Sequence, residues 1–273
     1  MTAAVLVNGE PAERIAVNDR GFAFGDGVFR TLLVRRGRAL NWGWHFRRLA
    51  ADCAALELVL PPEGVLLAEI ARLAPTEATV KVIVTRGAAG RGYASAAGAP
   101  CTRVVAVFPP PPHAAHLREN GVWVRRCRLV LSEQPRLAGA KTLNRLENVL
   151  ARNEWKEADI AEGLLTDRLE RLIEGTMSNV FVVKDGRIAT PELSRCGVIG
   201  AQRERVRDLL AREGIACEER DVAFSEIEAA DEVFLTNSLI GVWPVRRLAE
   251  RHWIPGPLTR RIQAWVETDD ALA

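Results

Sequence analysis

The alternation of apolar and polar residues divides the chain into short strands and amphipathic helices. Segments such as TVKVIVT and TRVVAVF have the composition and length of strands, whereas WGWHFRRLAADCAALEL repeats its apolar residues with the period of a helix. In that helix one side is apolar, and it consists of Phe46, Leu49, Cys53 and Leu56. This side should therefore pack against a sheet.

The order of the elements predicts the fold class. The first half of the chain contains an Asn8-Gly9 hairpin, two strands joined at Gly37, two helices (the second over 63–73) and two strands that flank the loop GAAGRGYASAAGAP. The second half contains the strand GVWVRRCRLV, a helix after AGAKTL, several strands, a helix after GVIG and a last helix after Pro257. Because the strands and helices do not alternate as regular βαβ units, the sequence predicts an α+β fold.

A proline-rich stretch divides the chain into two parts. With 273 residues, the chain has the length of two modest domains. The run PPPPHAAHLREN follows a strand and contains consecutive prolines, which indicates a linker. We predict a small N-terminal α/β domain over 1–112, a linker over 113–120 and a larger C-terminal domain over 121–273.

The composition excludes several classes of function. The net charge is +2 and the charges are interleaved, so nucleic-acid binding has no electrostatic support. No apolar run reaches the roughly 18 residues of a membrane span, and the N-terminus lacks the basic segment of a signal peptide. The five cysteines are widely spaced and form no CxxC pair, which favours reduced thiols in a cytoplasmic protein without a metal site.

One of the four lysines, Lys141, lies in an unusual segment, LAGAKTLNRLENVLARNEW. A lysine near apolar surroundings is shifted toward its neutral amine, which is the form that reacts with an aldehyde. The acid Glu174 precedes a strand about thirty residues later. A lysine for an aldehyde carbon and an acid for a pyridine nitrogen are the groups that pyridoxal phosphate requires from a protein. The alternative for Lys141 is a solvated residue near the start of a helix. A phosphate-binding P-loop is excluded, because no glycine directly precedes the lysine in GAKT.

Three further features could bind a phosphate or a ligand. The GVIG turn at 197–200 precedes a helix, whose N-terminal amides favour anions, and Arg48 could supply a permanent positive charge. The segment Thr236-Asn237-Ser238 follows a strand, where ligand sites often form. The alternative for GVIG is a helix that merely begins after glycine. The alternative for Arg48 is a solvated helix face, and the alternative for Thr236-Asn237-Ser238 is an ordinary polar turn.

Seven blocks of the chain, taken together, resemble one enzyme family. In chain order they are NDRGFAFGDGVFRT, HFRRL, TRGAAGRGY, AGAKTLNRLENVLAR, EGTMSNVF, GVIG and DEVFLTNSLIGVWPV. These blocks resemble the class IV (fold type IV) pyridoxal-phosphate enzymes, and the resemblance runs from about residue 5 to 250. That family includes branched-chain aminotransferases, D-amino acid aminotransferases and 4-amino-4-deoxychorismate lyases.

The resemblance implies a fold, a cofactor and a set of residues. The family fold has a small N-terminal α/β domain and a larger domain with a barrel-like sheet, with pyridoxal 5'-phosphate between them in a homodimer. Lys141 would form the Schiff base and Glu174 would pair with the pyridine nitrogen. The phosphate would be bound by Arg48, by the amides of Val198 and Ile199, and by the hydroxyl of Ser238. Asn179 would lie next to the cofactor.

Within the family, the blocks are most similar to the aminodeoxychorismate lyases, which release 4-aminobenzoate and pyruvate in folate biosynthesis. Phe29 and Tyr93 replace a tyrosine and a histidine of the D-amino acid aminotransferases, and Leu146 replaces a tyrosine of the branched-chain enzymes. Arg30 differs from the glutamate or threonine common in the family. An aminotransferase of the same fold remains the alternative, and a regulatory protein is a more distant one.

The substrate of such a lyase carries two carboxylates, which require cations or hydrogen-bond donors. Our candidates lie in the glycine-rich loop, on a strand and at the end of a later strand: Arg91, Tyr93, Thr31 and Asn237. The alternative for Arg91 is a solvated loop residue.

Overall fold

The structure, a computed structural model, describes residues 4–74, 76–95, 98, 100–112 and 115–272. The chain forms two compact units. The first extends to Pro111 and also includes Ala140–Asn144, and the second comprises Pro112–Gly139 and Arg145–Leu272.

The first unit contains an antiparallel sheet of six strands in the order β2-β1-β6-β5-β3-β4. The strands are β1 Ala4–Val7, β2 Glu10–Pro11, β3 Gly27–Arg35, β4 Arg38–Ala39, β5 Ala78–Thr85 and β6 Thr102–Phe108. The helices are α1 Arg20–Phe24, α2 Trp42–Ala55 and α3 Glu63–Leu73.

The two-residue period of β3 gives this sheet two different faces. Val28, Leu32 and Val34 are buried and pack in one core with residues of α2 and α3, including Leu49 and Cys53. Phe29, Thr31 and Leu33, which alternate with them, lie on the opposite, half-exposed face. The predicted apolar side of α2 is therefore confirmed, and the sheet presents a second face on which polar chemistry can be built.

The second unit contains a mixed sheet of ten strands in the order β12-β11-β10-β14-β15-β7-β8-β9-β13, with β16 paired to β15. The strands are β7 Val122–Val130, β8 Ile160–Thr166, β9 Arg171–Gly175, β10 Asn179–Lys184, β11 Arg187–Pro191, β12 Cys217–Arg220, β13 Val222–Ala223, β14 Glu232–Asn237, β15 Gly241–Leu248 and β16 Arg251–His252. The helices are α4 Ala115–Asn120, α5 Leu146–Arg152, α6 Ala201–Arg212, α7 Ser225–Ala229 and α8 Pro257–Leu272. The sheet curves into a nearly closed barrel, since β9 and β13 also contact β11.

The core of the second unit places α6 and α8 against the central strands. The rings of Phe181 on β10 and Phe234 on β14 stack with their centres 4.8 Å apart, and both are fully buried. Val206 of α6 and Ile262 of α8 are buried in the same cluster. This packing fixes the start of α6 relative to the strands β10 and β14.

Several predictions can now be compared with the structure. The α+β class is confirmed. The helix α4 occupies most of the predicted linker, whose residues 113 and 114 lie outside the described residues, and the domain bounds remain a prediction. All five cysteines are free thiols, and burial raises the pKa of Cys53, Cys127 and Cys196 to about 12, so these three are packing residues. In the part of the chain that the structure describes, no helix is long and apolar enough to cross a membrane.

Candidate active site

The segment that carries Lys141 pairs with β3 like a short additional strand. The Phe29 N–H donates a hydrogen bond to the Lys141 carbonyl oxygen (3.0 Å), and the Leu143 N–H donates to the Gly27 carbonyl oxygen (2.9 Å). Between them, Thr142 and Val28 form a β-bridge. The backbone from the Lys141 carbonyl to Leu143 is therefore held by the sheet, which limits the directions in which the lysine side chain can point.

The Lys141 side chain lies against the aromatic ring of Phe29. Its Nζ atom is 4.8 Å from the ring centre, and the residue is half-buried. A second lysine, Lys81 on β5, places its Nζ atom 4.6 Å from the same ring centre. Lys81 is paired across the sheet with Thr31, which is also half-buried on this face. Burial lowers the pKa of Lys81. The half-exposed face thus gathers Phe29, Thr31 and two lysines.

Arg48 is held by the carboxylate of Asp52, a residue that the sequence analysis did not identify. Its guanidinium lies 3.6 Å from the carboxylate of Asp52, one turn later in α2. Asp52 is fully buried, forms an ion pair with the buried Arg30, and also accepts a backbone hydrogen bond from Lys141. Burial raises the pKa of Asp52, although Arg30 and Arg48 oppose this shift. A single carboxylate therefore connects the predicted phosphate-binding arginine to the backbone of the predicted Schiff-base lysine.

The unusual Arg30 is explained by the same carboxylate. Its position in β3 alternates with Phe29 and Thr31, so it lies on the buried face and is only 3% exposed. In addition to the pair with Asp52, its guanidinium donates to the Arg48 carbonyl oxygen at 3.5 Å. Arg30 therefore belongs to the support of Arg48 rather than to the face that carries the lysines.

The loop with Arg91 and Tyr93 is fixed through its backbone. The guanidinium of Arg20, which also pairs with Asp26, donates to the carbonyl oxygens of Gly92 and Tyr93, both at 2.9 Å. The Tyr93 side chain is 87% exposed, with its ring centre 5.4 Å from that of Phe24, and Arg91 is exposed. Within the described residues no hydrogen bond or ion pair joins Arg91 to Thr31, so their common role in substrate binding stays a prediction.

In the second unit, Glu174 is buried at the end of β9. It is 4% exposed, and its Oε2 atom accepts a hydrogen bond from the Val198 N–H at 2.9 Å. The next loop is held by Glu162, a buried acid that accepts hydrogen bonds from the backbone of Gly163, Thr176 and Met177 and from the Ser178 hydroxyl (2.8 Å). Glu162 therefore fixes the connection from Glu174 to β10.

Asn179 at the start of β10 holds the GVIG turn with both ends of its side chain. Its Nδ2 donates to the Val198 carbonyl oxygen (2.7 Å), and its Oδ1 accepts from the Gly200 N–H (3.1 Å). A Cβ atom on Gly200 would lie 2.3 Å from that Oδ1, which explains the glycine before α6. Asn179 thus shapes the turn, and its predicted contact with a cofactor remains untested.

The Val198 and Ile199 amides, which were predicted to bind the phosphate, make hydrogen bonds within the chain. The Val198 N–H donates to Glu174, and the Ile199 N–H donates to the Gly139 carbonyl oxygen at 3.0 Å. Their role in phosphate binding stays a prediction. The N–H groups of the first turn of α6, which begins at Ala201, have no earlier carbonyl partner within the helix.

Asn237 at the end of β14 also makes hydrogen bonds within the chain. Its Oδ1 accepts from the N–H groups of Leu239 and Ile240 (2.8 and 2.9 Å), and its Nδ2 donates to the Met177 carbonyl oxygen (3.0 Å). The amide therefore shapes the turn, and its contact with substrate stays a prediction. Ser238, the predicted phosphate ligand, is half-buried beside it.

The residues fit pyridoxal phosphate when each unit is considered by itself. In the second unit, the buried Thr236 hydroxyl and the Nε2 atom of the buried Gln202 have no hydrogen-bond partner among the described residues. Thr236 is paired with Asn179 across the sheet, and Gln202 lies in the first turn of α6. Buried donors without partners are costly unless a ligand satisfies them, and a phosphate would do so. The first unit supplies the amine of Lys141 and the guanidinium of Arg48.

The sequence contained signals for the three supporting residues that were missed. Asp52 follows Arg48 by four residues, the spacing of an ion pair on a helix. Lys81 interrupts an otherwise apolar strand, TVKVIVT, and Glu162 begins the apolar segment EGLLT. Lys81 and Glu162 share the signal of a charged residue inside an apolar strand, because burial of a charge requires a specific partner.

Comparisons with known proteins identify the family of the chain. The family described as amino-transferase class IV matches residues 27–248. The chain is 35% identical to an aminodeoxychorismate lyase from Vibrio harveyi, over 96% of this chain and 99% of that protein. It is 30% identical to a D-alanine aminotransferase from Bacillus licheniformis, over 95% and 94% of the two chains.

A solved structure extends the comparison to the fold. The crystal structure of 4-amino-4-deoxychorismate lyase from Pseudomonas aeruginosa superimposes with a TM-score of 0.93 at 42% identity, and covers 97% of this chain and 98% of that one. The branched-chain amino acid aminotransferase of Escherichia coli gives a TM-score of 0.83 at 23% identity, over 96% and 93% of the two chains. The second likeness shows the fold alone.

Proposed function

The chain belongs to the class IV amino-transferase family, and we propose that it acts as a pyridoxal-phosphate-dependent lyase that converts 4-amino-4-deoxychorismate into 4-aminobenzoate and pyruvate. The observation that carries this proposal is the 42% identity and 0.93 TM-score to the lyase of Pseudomonas aeruginosa over nearly the whole chain. The apolar ring of Phe29 beside the Lys141 amine supports it, because an aminotransferase of the D-amino acid type is expected to carry a hydroxyl there.

The chain holds groups for each part of the cofactor. Lys141 would bind its aldehyde carbon, Arg48 its phosphate and Glu174 its pyridine nitrogen. The hydroxyls of Thr236 and Ser238 are further candidates for the phosphate, and Thr236 is the buried hydroxyl without a partner among the described residues. When bound, pyridoxal phosphate supplies an electron-withdrawing ring that stabilises negative charge on the carbon bearing the substrate amine.

The protein's own residues would move protons, hold a proton at the pyridine nitrogen and position the phosphate. Lys141 would be the group that takes a proton from that carbon and returns one to the product. The carboxylate of Glu174, oriented by the Val198 N–H, would hold a proton at the pyridine nitrogen. Asp52 keeps the Arg48 guanidinium in place, so the phosphate would meet an ordered cation.

The direct test is a product assay on the purified protein with enzymatically made aminodeoxychorismate. We expect 4-aminobenzoate and pyruvate to appear in equal amounts, with Lys141→Ala as the inactive control. If the wild-type protein, loaded with cofactor, forms neither product, the lyase function is wrong.

The alternative, an aminotransferase, is favoured by the 30% identity to a D-alanine aminotransferase over most of the chain. Such an enzyme would consume pyruvate or 2-oxoglutarate as an amino acceptor. Amino-acid-dependent loss of either keto acid, at a rate above that of aminodeoxychorismate cleavage, would favour it.

We further propose a homodimer in the cytoplasm, with a role in folate biosynthesis through 4-aminobenzoate. The dimer is supported by α5, which exposes Leu146, Val149 and Leu150 by 69%, 52% and 53%. Neighbouring apolar side chains of this size on one helix are more often covered by a partner than left in water. Light scattering should give twice the chain mass, and Leu150→Glu should shift the protein toward the monomer. A monomeric wild-type protein at micromolar concentration would contradict the dimer.

A further inference from the structure

We propose that Arg20 is a positioning residue for substrate binding, because its buried guanidinium orders the glycine-rich loop that carries Arg91 and Tyr93. This inference deepens the proposed lyase function and rests on it for the identity of the substrate. Arg20 would act through the backbone of the loop and not by its own contact with the substrate.

All three nitrogen atoms of the Arg20 guanidinium donate hydrogen bonds. Nε donates to the carboxylate of Asp26 at 2.8 Å, and the two terminal nitrogens donate to the carbonyl oxygens of Gly92 and Tyr93, each at 2.9 Å. The residue is only 5% exposed. A planar guanidinium that a carboxylate holds in place can fix two successive carbonyl groups at once. The backbone that directly follows Arg91 is therefore held in one conformation.

The composition of the loop makes this support necessary. A Cβ atom added to Gly90 or Gly92 would meet no described atom within 4 Å, so the loop is loosely packed at both positions. Glycine also loses more conformational freedom on ordering than any other residue. The further contact of this part of the loop is the Phe24 ring, whose centre lies 5.4 Å from that of Tyr93 and 5.0 Å from the Arg20 guanidinium carbon.

The segment around Arg20 also holds the beginning of the same loop. The Arg20 N–H donates to the Gly87 carbonyl oxygen at 2.9 Å, and the Ala89 N–H donates to the Asn18 carbonyl oxygen at 3.1 Å. The loop is thus attached by backbone hydrogen bonds before Arg91 and by the Arg20 guanidinium after it. A loop that is held on both sides of its cation presents that cation to a ligand with less loss of entropy on binding.

The competing explanation is that Arg20 only neutralises the charge of Asp26. The chain contains a matched residue that separates the two explanations. Arg86 donates to the same Oδ2 atom of Asp26, also at 2.8 Å, and the side chains of Arg20 and Arg86 are 6% and 15% exposed. The terminal nitrogens of Arg86, however, donate to the carbonyl oxygens of Leu56 and Glu57 after α2 and not to the loop.

The experiment compares holoenzymes of the wild type, Arg20→Met and Arg86→Met at equal cofactor content. If the loop of Arg20→Met is ordered for only about a tenth of the time, its KM for aminodeoxychorismate rises about tenfold, whereas kcat changes little. Amide hydrogen exchange over 87–93 should become faster by a similar factor, about tenfold. Arg86→Met loses the same ion pair and should keep the wild-type KM and the wild-type exchange of this loop.

A second pair of variants changes the loop without changing Arg20, and it decides the question if Arg20→Met does not fold. Gly92 has a φ of +98°, so the side chain of Gly92→Ala strains the backbone at the carbonyl group that Arg20 binds. Gly90→Ala adds the same methyl group in open space at a position without a positive φ. We expect Gly92→Ala to raise the KM and the exchange of the loop, and Gly90→Ala to match the wild type.

Several results would overturn the inference. It is wrong if the KM and the loop exchange of Arg20→Met both stay within about twofold of the wild type. An equal rise of the KM in Arg86→Met would assign the effect to the ion pair with Asp26, and faster exchange with an unchanged KM would show that substrate binding does not need an ordered loop. Absence of turnover in the wild type would instead count against the lyase function, and the exchange measurements would still decide whether Arg20 orders the loop.

Discussion

The sharpest prediction concerns the buried carboxylate of Asp52, which supports Arg48. Asp52 and Arg30 are 0% and 3% exposed and form an ion pair, so the substitution Asp52→Asn leaves a buried guanidinium without its counter-charge. Removal of one partner from a buried pair typically costs about 3–5 kcal/mol. Because the Arg48 carbonyl oxygen still accepts from Arg30 and asparagine keeps the shape, we expect the lower end, about 3 kcal/mol.

The assay is urea unfolding of the cofactor-free protein, followed by circular dichroism and by tryptophan fluorescence. The matched control is Asp208→Asn, which removes the carboxylate of a much more exposed pair with Arg212, also four residues apart on a helix. Such a pair contributes about 0.5 kcal/mol or less. The double variant Arg30→Met/Asp52→Leu removes both buried charges and should be more stable than Asp52→Asn.

The result that would refute this reasoning is an unfolding free energy of Asp52→Asn within about 0.5 kcal/mol of the wild type, as for the exposed control. The pair would then be solvated in solution, and Asp52 would not hold Arg48. A double variant no more stable than the single one would show that the loss arises from shape and not from the uncompensated charge.

Three other substitutions test individual contacts. Arg48→Ala should weaken cofactor affinity by about 1.5–3 kcal/mol in an equilibrium titration, and unchanged affinity would make Arg48 only a helix-surface residue. Glu174→Gln should lower turnover much more than cofactor binding, and near-normal turnover would show that the proton on the pyridine nitrogen does not depend on this pair. Burial alone would raise the pKa of Asp26, but the hydrogen bonds from Arg86 and Arg20 outweigh it and the net pKa lies below the usual value. The stability that this carboxylate contributes is therefore present above about pH 4. It should disappear as the pH falls through the lowered pKa, and Asp26→Asn should abolish that part of the pH dependence.

The fold was largely predictable because its signals are local. The alternation in β3 and β5 and the apolar side of α2 follow from neighbouring residues, and the turns after Asn8 and before Arg38 have their own sequence signatures. The helix α1 was missed because it spans only five residues, and its start is set by the Asp19 side chain. The helix α4 was missed because the prolines before it concealed the change from linker to helix.

The sequence singles out candidate site residues but does not reveal their hydrogen bonds. Lys141 and Glu174 are candidates because each stands in an unusual local context. The use of the Val198 and Ile199 amides could not be found, because their acceptors, Glu174 and Gly139, lie 24 and 60 residues away in the sequence. The burial of Arg30 likewise depends on a partner in another element, which a residue pattern within β3 does not reveal.

The central claim, a lyase rather than an aminotransferase, is tested most directly by counting turnovers without a keto acid. A lyase ends each cycle with the cofactor in the form in which it began, whereas an aminotransferase leaves the amine form and stops until a keto acid is added. We therefore expect the purified holoenzyme to release many equivalents of 4-aminobenzoate per active site from aminodeoxychorismate alone. We also expect D-alanine and leucine to react slowly at most. If instead D-alanine or leucine with 2-oxoglutarate is turned over faster than aminodeoxychorismate is without it, the chain is an aminotransferase and the account is contradicted.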